Sequence, residues 1–269
     1  MYTDINVSNL EYKALSVQKN GGRSVLVVMA PGSSERLHFQ MSENEETNLQ
    51  TAVWALSSPI AGADASKRNF ELAIESPELL AFLEALDEKN VQTAVAQSQA
   101  WFRKDLDRES IEQMYMPIVK RPTKDDQKPS MKVKVRVTEK PTEIFVHHGK
   151  TDGYIDYTKG TPDDLVRNAK CMAVVETTGL WFMSRQFGMS LIATSLLVSK
   201  PRRMATGVDA FMFSSGVKPR ERKAESSSEP NPLKREAEDA GGNTEGNGVD
   251  NTEARKTLRT TDDGENRLM

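Results

Sequence analysis

Cysteine and histidine are scarce in this chain: its 269 residues include one Cys and three His. Cys171 alone cannot form an internal disulfide or a metal site made of several cysteines. The histidines are His38 and the neighbouring pair His147-His148, whose rings would point to opposite sides of a strand. We therefore expect a protein of a reducing compartment, with no disulfide framework, no metal centre and no bound cofactor.

Long apolar runs are also missing. No stretch approaches the roughly 18 to 20 apolar residues that cross a bilayer. The start, Met1-Tyr2-Thr3-Asp4, has neither the basic region nor the apolar region of a signal peptide. The sequence therefore predicts a soluble, intracellular protein without a membrane partner.

Sequence patterns typical of enzymes are absent too. The chain has no phosphate-binding loop, and its glycine cluster at 241–248 does not follow a predicted strand, as a nucleotide-binding site would require. The acidic pair Asp163-Asp164 is better explained as the start of a helical turn than as acid-base machinery. We therefore expect no catalytic activity.

Aromatic residues, 6% of the chain, stop at Phe213, and the composition changes soon afterwards. Residues 217–269 are mainly polar, charged or glycine, and such a segment cannot bury enough apolar surface to offset the entropy of ordering. The rest of the chain is apolar enough to build a sizeable core. We therefore predict a folded domain over 1–216 and a disordered polar tail over 217–269.

Short segments of alternating or continuous apolar residues are typical of β-strands. They predict strands at 25–29, 37–41, 70–74, 131–137, 142–146, 154–157, 172–175, 179–183, 189–198 and 211–213. A helix is predicted from Ser76, with Pro77 at its first position and an apolar face that continues to Val95. A shorter helix follows Asp107, so that helices occupy about 76–116. This order indicates a mainly β fold, a barrel or sandwich, with a helical insertion.

The strand at 131–137 is the most informative segment, because apolar and basic residues alternate along it. Successive side chains of a strand point to opposite sides, so the apolar residues face a core while Lys132, Lys134 and Arg136 form a positive row. A solvated outer face of an antiparallel sheet would give the same pattern. The surrounding charge favours a binding surface, since residues 118–140 hold eight Lys or Arg and three Asp or Glu in a chain of net charge −3.

Several segments between roughly residues 70 and 200 occur in an order that is typical of one protein family. They are 82–87 (FLEALD), 98–104 (SQAWFRK), 115–120 (YMPIVK), 128–134 (KPSMKVK), 179–182 (GLWF) and 186–190 (QFGMS). Together they resemble the OB-fold single-stranded DNA-binding proteins of large nucleocytoplasmic DNA viruses, which are related to the replication single-strand binders of short-tailed phages. The resemblance implies a five-stranded OB barrel with helical elaborations, sequence-tolerant binding of single-stranded DNA, and a role in viral DNA replication, recombination or repair.

A single-strand binder needs cations along the phosphates and aromatic faces on which bases stack. The cations that we expect to contact DNA are Lys120, Arg121, Lys132, Lys134, Arg136 and Arg185. Arg185 belongs to a predicted hairpin loop at 184–188, in which Gly188 is expected to supply the turn.

The aromatic candidates include two adjacent Trp-Phe pairs. On a strand, one ring of Trp181-Phe182 faces the core and the other faces out, and we favour Trp181 as the outward ring that contacts DNA. Trp101, Phe102, Tyr115 and Phe182 are either base-stacking or core residues. Trp101 and Phe102 follow a helix, which favours an anchoring role for this pair.

The tail and the partners leave alternatives open. Acidic tails in this family contact replication proteins such as a polymerase, helicase or primase, whereas residues 217–269 hold twelve acidic and ten basic residues. The basic clusters at 218–223 and 234–235 resemble a two-part nuclear import signal, and a solvated tail would have a similar composition.

The resemblance to viral single-strand binders implies a site of action in the host nucleus or at a cytoplasmic viral replication site, and it allows a homo-oligomer. The alternative function is a nuclear protein-interaction or chaperone module that does not bind nucleic acid.

Overall fold

A computed structural model describes residues 1–19, 21–59, 65–124 and 126–201. They lie within one structural unit, Met1–Ala205. The predicted strand at 211–213, the predicted tail and its basic clusters lie outside the described residues. In the part of the chain that is described, no helix is long and apolar enough to cross a membrane.

Short strands dominate the described residues. In chain order they are β1 (Glu11–Tyr12), β2 (Ser16–Val17), β3 (Arg23–Val25), β4 (Val27–Val28), β5 (His38–Gln40), β6 (Gln50–Ala52), β7 (Lys67–Ala73), β8 (Tyr115–Met116), β9 (Val119–Lys120), β10 (Ser130–Arg136), β11 (Glu143–Thr151), β12 (Tyr154–Lys159), β13 (Lys170–Phe182) and β14 (Phe187–Ser199). The helices are α1 (Pro77–Ala96), α2 (Ser98–Phe102) and α3 (Arg108–Met114), with short 3-10 helices at Tyr2–Asp4, Val7–Asn9 and Pro162–Asp164. All three α-helices lie between β7 and β10 in the chain, where the helical insertion was expected.

Five of these strands close into a barrel. β6 pairs with β7, β7 with β10, β10 with β14, β14 with β13, and β13 returns to β6. The β10–β14 pair is parallel, and the other four pairs of the ring are antiparallel. A five-stranded barrel of this kind is the OB-fold architecture, so the predicted fold class is confirmed. β11 and β12 extend the sheet beside the C-terminal half of β14.

The two faces of β10 follow its sequence alternation. Met131, Val133 and Val135 are fully buried in the barrel. Lys132 is exposed and Lys134 is half-buried on the opposite side. Because burying an apolar side chain of this size stabilises a fold by about 1.5 to 3 kcal/mol, the three inward residues fix the orientation of the strand and hold the lysines outside.

Helix α1 packs on the barrel through residues spaced three or four apart. Leu79, Leu83 and Leu86 are fully buried, as expected for one face of an amphipathic helix. The Ser76 hydroxyl accepts a hydrogen bond from the Leu79 amide at 3.1 Å, which satisfies one of the free donors at the start of the helix. The predicted start of this helix is therefore confirmed.

β13 is one strand of thirteen residues, although its sequence pattern predicts two. Gly179 lies where the pattern is interrupted, with a φ angle of +92°. A Cβ atom at this position would be 2.1 Å from the carbonyl oxygen of Val25 on the paired strand β3. Glycine thus allows an irregularity inside the strand, and the strand continues beyond it.

The predicted role of Gly188 is wrong. The turn between β13 and β14 is formed by residues 183–186, where the Met183 amide donates to the Gln186 carbonyl at 2.8 Å. Gly188 lies inside β14, and a Cβ there would be 2.8 Å from the Met116 carbonyl oxygen. The close approach of β8 therefore explains this glycine.

Candidate nucleic-acid interface

A groove of about 330 Å³ crosses the outer face of the barrel beside β7, β10 and β14. It is lined by Asn69, Met116, Pro117, Ile118, Lys120, Lys132, Lys134, Trp181, Met189, Ser190 and Leu191. We call this cavity the basic groove, because all of its charged lining residues are lysines. The groove brings together residues from four barrel strands and from the segment that follows α3.

The strand register brings Lys132 and Lys134 into the basic groove. On β7, the residue opposite Lys132 is Glu71, and the residue opposite Lys134 is Asn69. On the other side of β10, the parallel strand β14 places Ile192 beside Lys134. Both lysines therefore stand on a rigid wall that is hydrogen-bonded on its two sides.

Lys120 reaches the same groove from a separate segment. β8 pairs with β14 and β9 pairs with β10, which holds residues 116–120 along the groove. The Lys120 Nζ lies 3.6 Å from Glu71 Oε1, and 64% of the lysine side chain is exposed. Exposed ion pairs contribute little to stability, so this lysine is able to exchange its carboxylate for an incoming anion.

The arginines that the sequence analysis grouped with these lysines do not line the groove. Arg136 donates to Glu176 Oε1 at 2.7 Å, and both side chains are mostly buried. Arg121 forms an ion pair with Glu84 of α1. Arg185 lies exposed in the turn between β13 and β14. Arg121 and Arg136 are thus paired with carboxylates of distant segments. Contact between the three arginines and DNA stays a prediction.

Trp181 forms one wall of the basic groove. It is half-buried and lies opposite Gly188 across the β13–β14 pair. A Cβ on Gly188 would be 3.0 Å from the Trp181 ring, so the glycine lets the indole rest against the strand. Phe182 is 7% exposed and stacks on Phe187 with the ring centroids 5.6 Å apart. Trp181 thus faces outward and Phe182 faces the core, the orientation that we favoured from the sequence.

The other aromatic candidates belong to the core. Trp101 is 3% exposed and meets Phe182 edge to face, with centroids 5.5 Å apart. Phe102 packs on Phe187 in the same manner at 5.3 Å. Tyr115 is buried and lies 5.1 Å from the Phe187 ring. These rings anchor the helical insertion on the barrel, and Trp101 and Tyr115 are too deeply buried to be open to a stacking base.

Asp87 of α1 holds the segment 116–120 in place from behind. Its carboxylate accepts hydrogen bonds from the Tyr115 hydroxyl at 2.6 Å and from the backbone amides of Ile118 and Val119 at 2.9 and 3.1 Å. Burial raises the pKa of Asp87, and these hydrogen bonds oppose the increase because they favour the ionised carboxylate. Asn90 also donates to the Tyr115 hydroxyl, at 2.8 Å. The network connects the buried face of α1 to the segment that carries Lys120.

Replacing Asp87 with alanine is expected to lower the free energy of unfolding by about 2 to 3 kcal/mol, because buried donors lose their acceptor. Chemical denaturation at neutral pH measures this change. Asp87→Asn keeps one acceptor oxygen and should cost less. Equal stability of the wild type and Asp87→Ala would show that the carboxylate does not hold this segment.

Sequence reasoning missed Trp54 and Arg167. Trp54 follows β6 and is 55% exposed, and the guanidinium carbon of Arg167 lies 4.7 Å from the centroid of its ring. The sequence offers one signal for Trp54: it stands where no clear strand or helix pattern is present, just before the loop that begins at Ser57. An isolated ring of this kind has no periodic partners that would assign it to a core.

No curated protein matches the chain. Among solved structures, the chain is similar to the single-stranded DNA-binding protein of bacteriophage Enc34 in complex with single-stranded DNA, at 10% identity and a TM-score of 0.39, over 71% of this chain and 97% of that one. It is also similar to gp2.5, a single-stranded DNA-binding protein of bacteriophage T7, at 12% identity and a TM-score of 0.39, over 71% of this chain and 100% of that one.

A family model matches residues 60–214, which is more than half of the chain. The matched range includes β7, β10, β13 and β14 of the barrel and every lining residue of the basic groove. The chain therefore belongs to a family of unknown function, DUF5871.

Proposed function

We propose that this protein binds single-stranded DNA through the basic groove, without preference for base sequence. The observation that carries the proposal is the groove itself, in which Lys120, Lys132 and Lys134 converge beside the outward ring of Trp181. Strands 2 and 3 of an OB barrel form its usual oligonucleotide-binding face. Here β7 and β10 are the second and third barrel strands in chain order, and both contribute to the groove.

The chemistry of the lining fits an unpaired strand. Lysines attract phosphates irrespective of the base sequence, and an indole stacks on any base because every base has a flat π face. In a duplex those faces are covered by neighbouring base pairs. We therefore infer that single strands bind more tightly than duplexes.

The biological role that we propose is the coating and protection of exposed strands during DNA replication, recombination and repair, without catalysis. The sequence resemblance to viral single-strand binders supports a viral setting, in the host nucleus or at a cytoplasmic replication site. Replication proteins such as a polymerase, helicase or primase are proposed partners of residues 217–269, which lie outside the described residues. Self-association is compatible with this role.

A binding titration tests the proposal. Oligothymidylate, a matched RNA and a matched duplex are each titrated at two salt concentrations, with fluorescence anisotropy as the readout. We expect the single-stranded DNA to bind more tightly than the duplex, with affinity that falls as salt rises. Equal binding of the duplex, or no nucleic-acid binding at low salt, would contradict the proposal. The latter result would favour the protein-interaction module instead.

A further inference from the structure

Trp54 and Arg167 form an aromatic platform outside the basic groove. The Trp54 ring is 55% exposed, which is unusual for a residue with so large an apolar surface. The Arg167 guanidinium lies over this ring at 4.7 Å, well within the range of a cation–π contact. We call this pair the Trp54 platform.

Backbone hydrogen bonds fix both members of the Trp54 platform. The Asn168 amide donates to the Ala52 carbonyl at 2.8 Å, and the Ala52 amide donates to the Ala169 carbonyl at 2.8 Å. These two bonds join the residues next to Arg167 with the strand that ends before Trp54. The platform is therefore built from two segments whose main chains are held together beside it.

A cavity of about 470 Å³ lies beside the platform. Its charged lining residues are Glu71, Glu75, Lys120, Lys128 and Arg167. Glu71 lies 3.6 Å from Lys120, and Glu75 forms an ion pair with Lys128, so each carboxylate is already paired with a lysine. Lys120 lines both this cavity and the basic groove. The two cavities are therefore adjacent and share this lysine.

The strand register gives the distance between the Trp54 platform and the basic groove. The Val53 amide, next to Trp54, donates to the Glu71 carbonyl at 3.0 Å. Glu71 is opposite Lys132, and the next residue of β10, Val133, is beside Leu191 of β14. With neighbouring strands about 4.8 Å apart, this row of three strand spacings covers about 14 Å. That distance separates two different bases, because one base cannot reach both sites.

We propose that the Trp54 platform is a second base-stacking subsite, and that a bound single strand runs from Trp181 past Lys120 to Trp54. This inference rests on the proposed function. A base stacks on the exposed indole of Trp54, while the Arg167 guanidinium braces the ring and adds a positive charge for the adjoining phosphate. The subsite lengthens the binding site and is engaged by strands long enough to span the row.

Oligonucleotide length distinguishes this subsite from the basic groove. Oligothymidylates of about 2 and about 12 nucleotides, the first too short to span the row and the second within the range of OB-fold site sizes, are titrated against the full chain and its variants. Trp54→Ala should bind the long oligonucleotide about tenfold more weakly and the short one as tightly as the wild type. Trp54→Phe, which keeps a stacking ring, should restore most of the loss. Arg167→Lys keeps the charge without the planar group and should show an intermediate loss.

Tyr154 offers a matched control, because it is an aromatic residue on β12 that is 77% exposed and does not line either cavity. Tyr154→Ala should bind both lengths as the wild type does. If Trp54→Ala binds both lengths as tightly as the wild type, or loses the same factor on both, the separate subsite is refuted. If the wild type binds neither length, the proposed function fails first. Should Trp54→Ala not fold, Arg167→Ala gives the same comparison, with a larger loss expected on the long oligonucleotide than on the short one.

Discussion

Replacing Lys120, Lys132 and Lys134 together with alanine is expected to weaken binding of single-stranded DNA and to flatten its dependence on salt. These three lysines are the charged lining of the basic groove. Each lysine that neutralises a phosphate releases condensed counterions from the strand, which makes binding stronger at low salt. Removal of the three contacts therefore removes both the attraction and most of the salt effect.

The size of this effect follows from counterion release. For single strands, log K falls with log salt by about 0.7 for each phosphate neutralised, so three contacts contribute a slope of about 2. A fourfold rise in salt should then weaken wild-type binding about 20-fold more than binding by the triple variant. Titrations of oligothymidylate at four or five salt concentrations measure both slopes.

A matched control removes the same number of charges elsewhere. Lys104, Lys140 and Lys159 are exposed and line neither the basic groove nor the cavity beside Trp54. Their triple alanine variant has the same net charge as the groove variant, so it separates a local effect from a change in overall charge. If the two variants show the same slope, the groove is not where the phosphates bind.

Trp181→Ala should weaken binding of single-stranded DNA by about 5-fold to 150-fold, which corresponds to about 1 to 3 kcal/mol for the loss of one stacked base. Trp181→Phe keeps a smaller ring in the same position and should lose less. Neither change should alter the salt slope, because stacking releases no phosphate counterions. A loss of affinity with an unchanged salt slope therefore distinguishes the contribution of Trp181 from that of the lysines.

Tryptophan fluorescence provides the direct measurement. The chain has three tryptophans, and Trp101 is buried in the core, where a bound base cannot reach it. Oligothymidylate should quench the wild-type signal, and the quenched part should shrink in Trp181→Phe. Full quenching in Trp181→Phe would contradict stacking at this residue. In Trp181→Phe, the quenching that remains is expected to come from Trp54. Adding Trp54→Phe to that variant should remove it.

The alternating strand shows how far a local pattern can predict a site. The order of apolar and basic residues in β10 determined which side chains face the core, and the structure agrees for the three apolar residues and for Lys132 and Lys134. The pattern does not predict that Arg136 would meet Glu176, forty residues further along the chain. An ion pair between distant segments depends on the register between strands, which sequence periodicity does not contain.

The glycines show the same limit. In the sequence, Gly188 belongs to a predicted hairpin loop and Gly179 is the first residue of a predicted strand, after a gap in the apolar pattern at 176–178. In the structure, Gly188 makes room for Met116 and Trp181, and Gly179 makes room for Val25. Both reasons are contacts with a second strand, so they exist only after the strands have paired.

The sequence by itself determined the mainly β fold, the start of helix α1, the outward side of β10 and the resemblance to single-strand binders. These properties follow from neighbouring residues, since the periods of strands and helices and the preferences of helix ends are local. Only the tertiary structure decided that Lys120 joins Lys132 and Lys134, that two arginines are paired with carboxylates, and that Trp54 meets Arg167. Those contacts depend on which distant segments the closed barrel brings together, because the barrel sets the distances between side chains that the chain order leaves far apart.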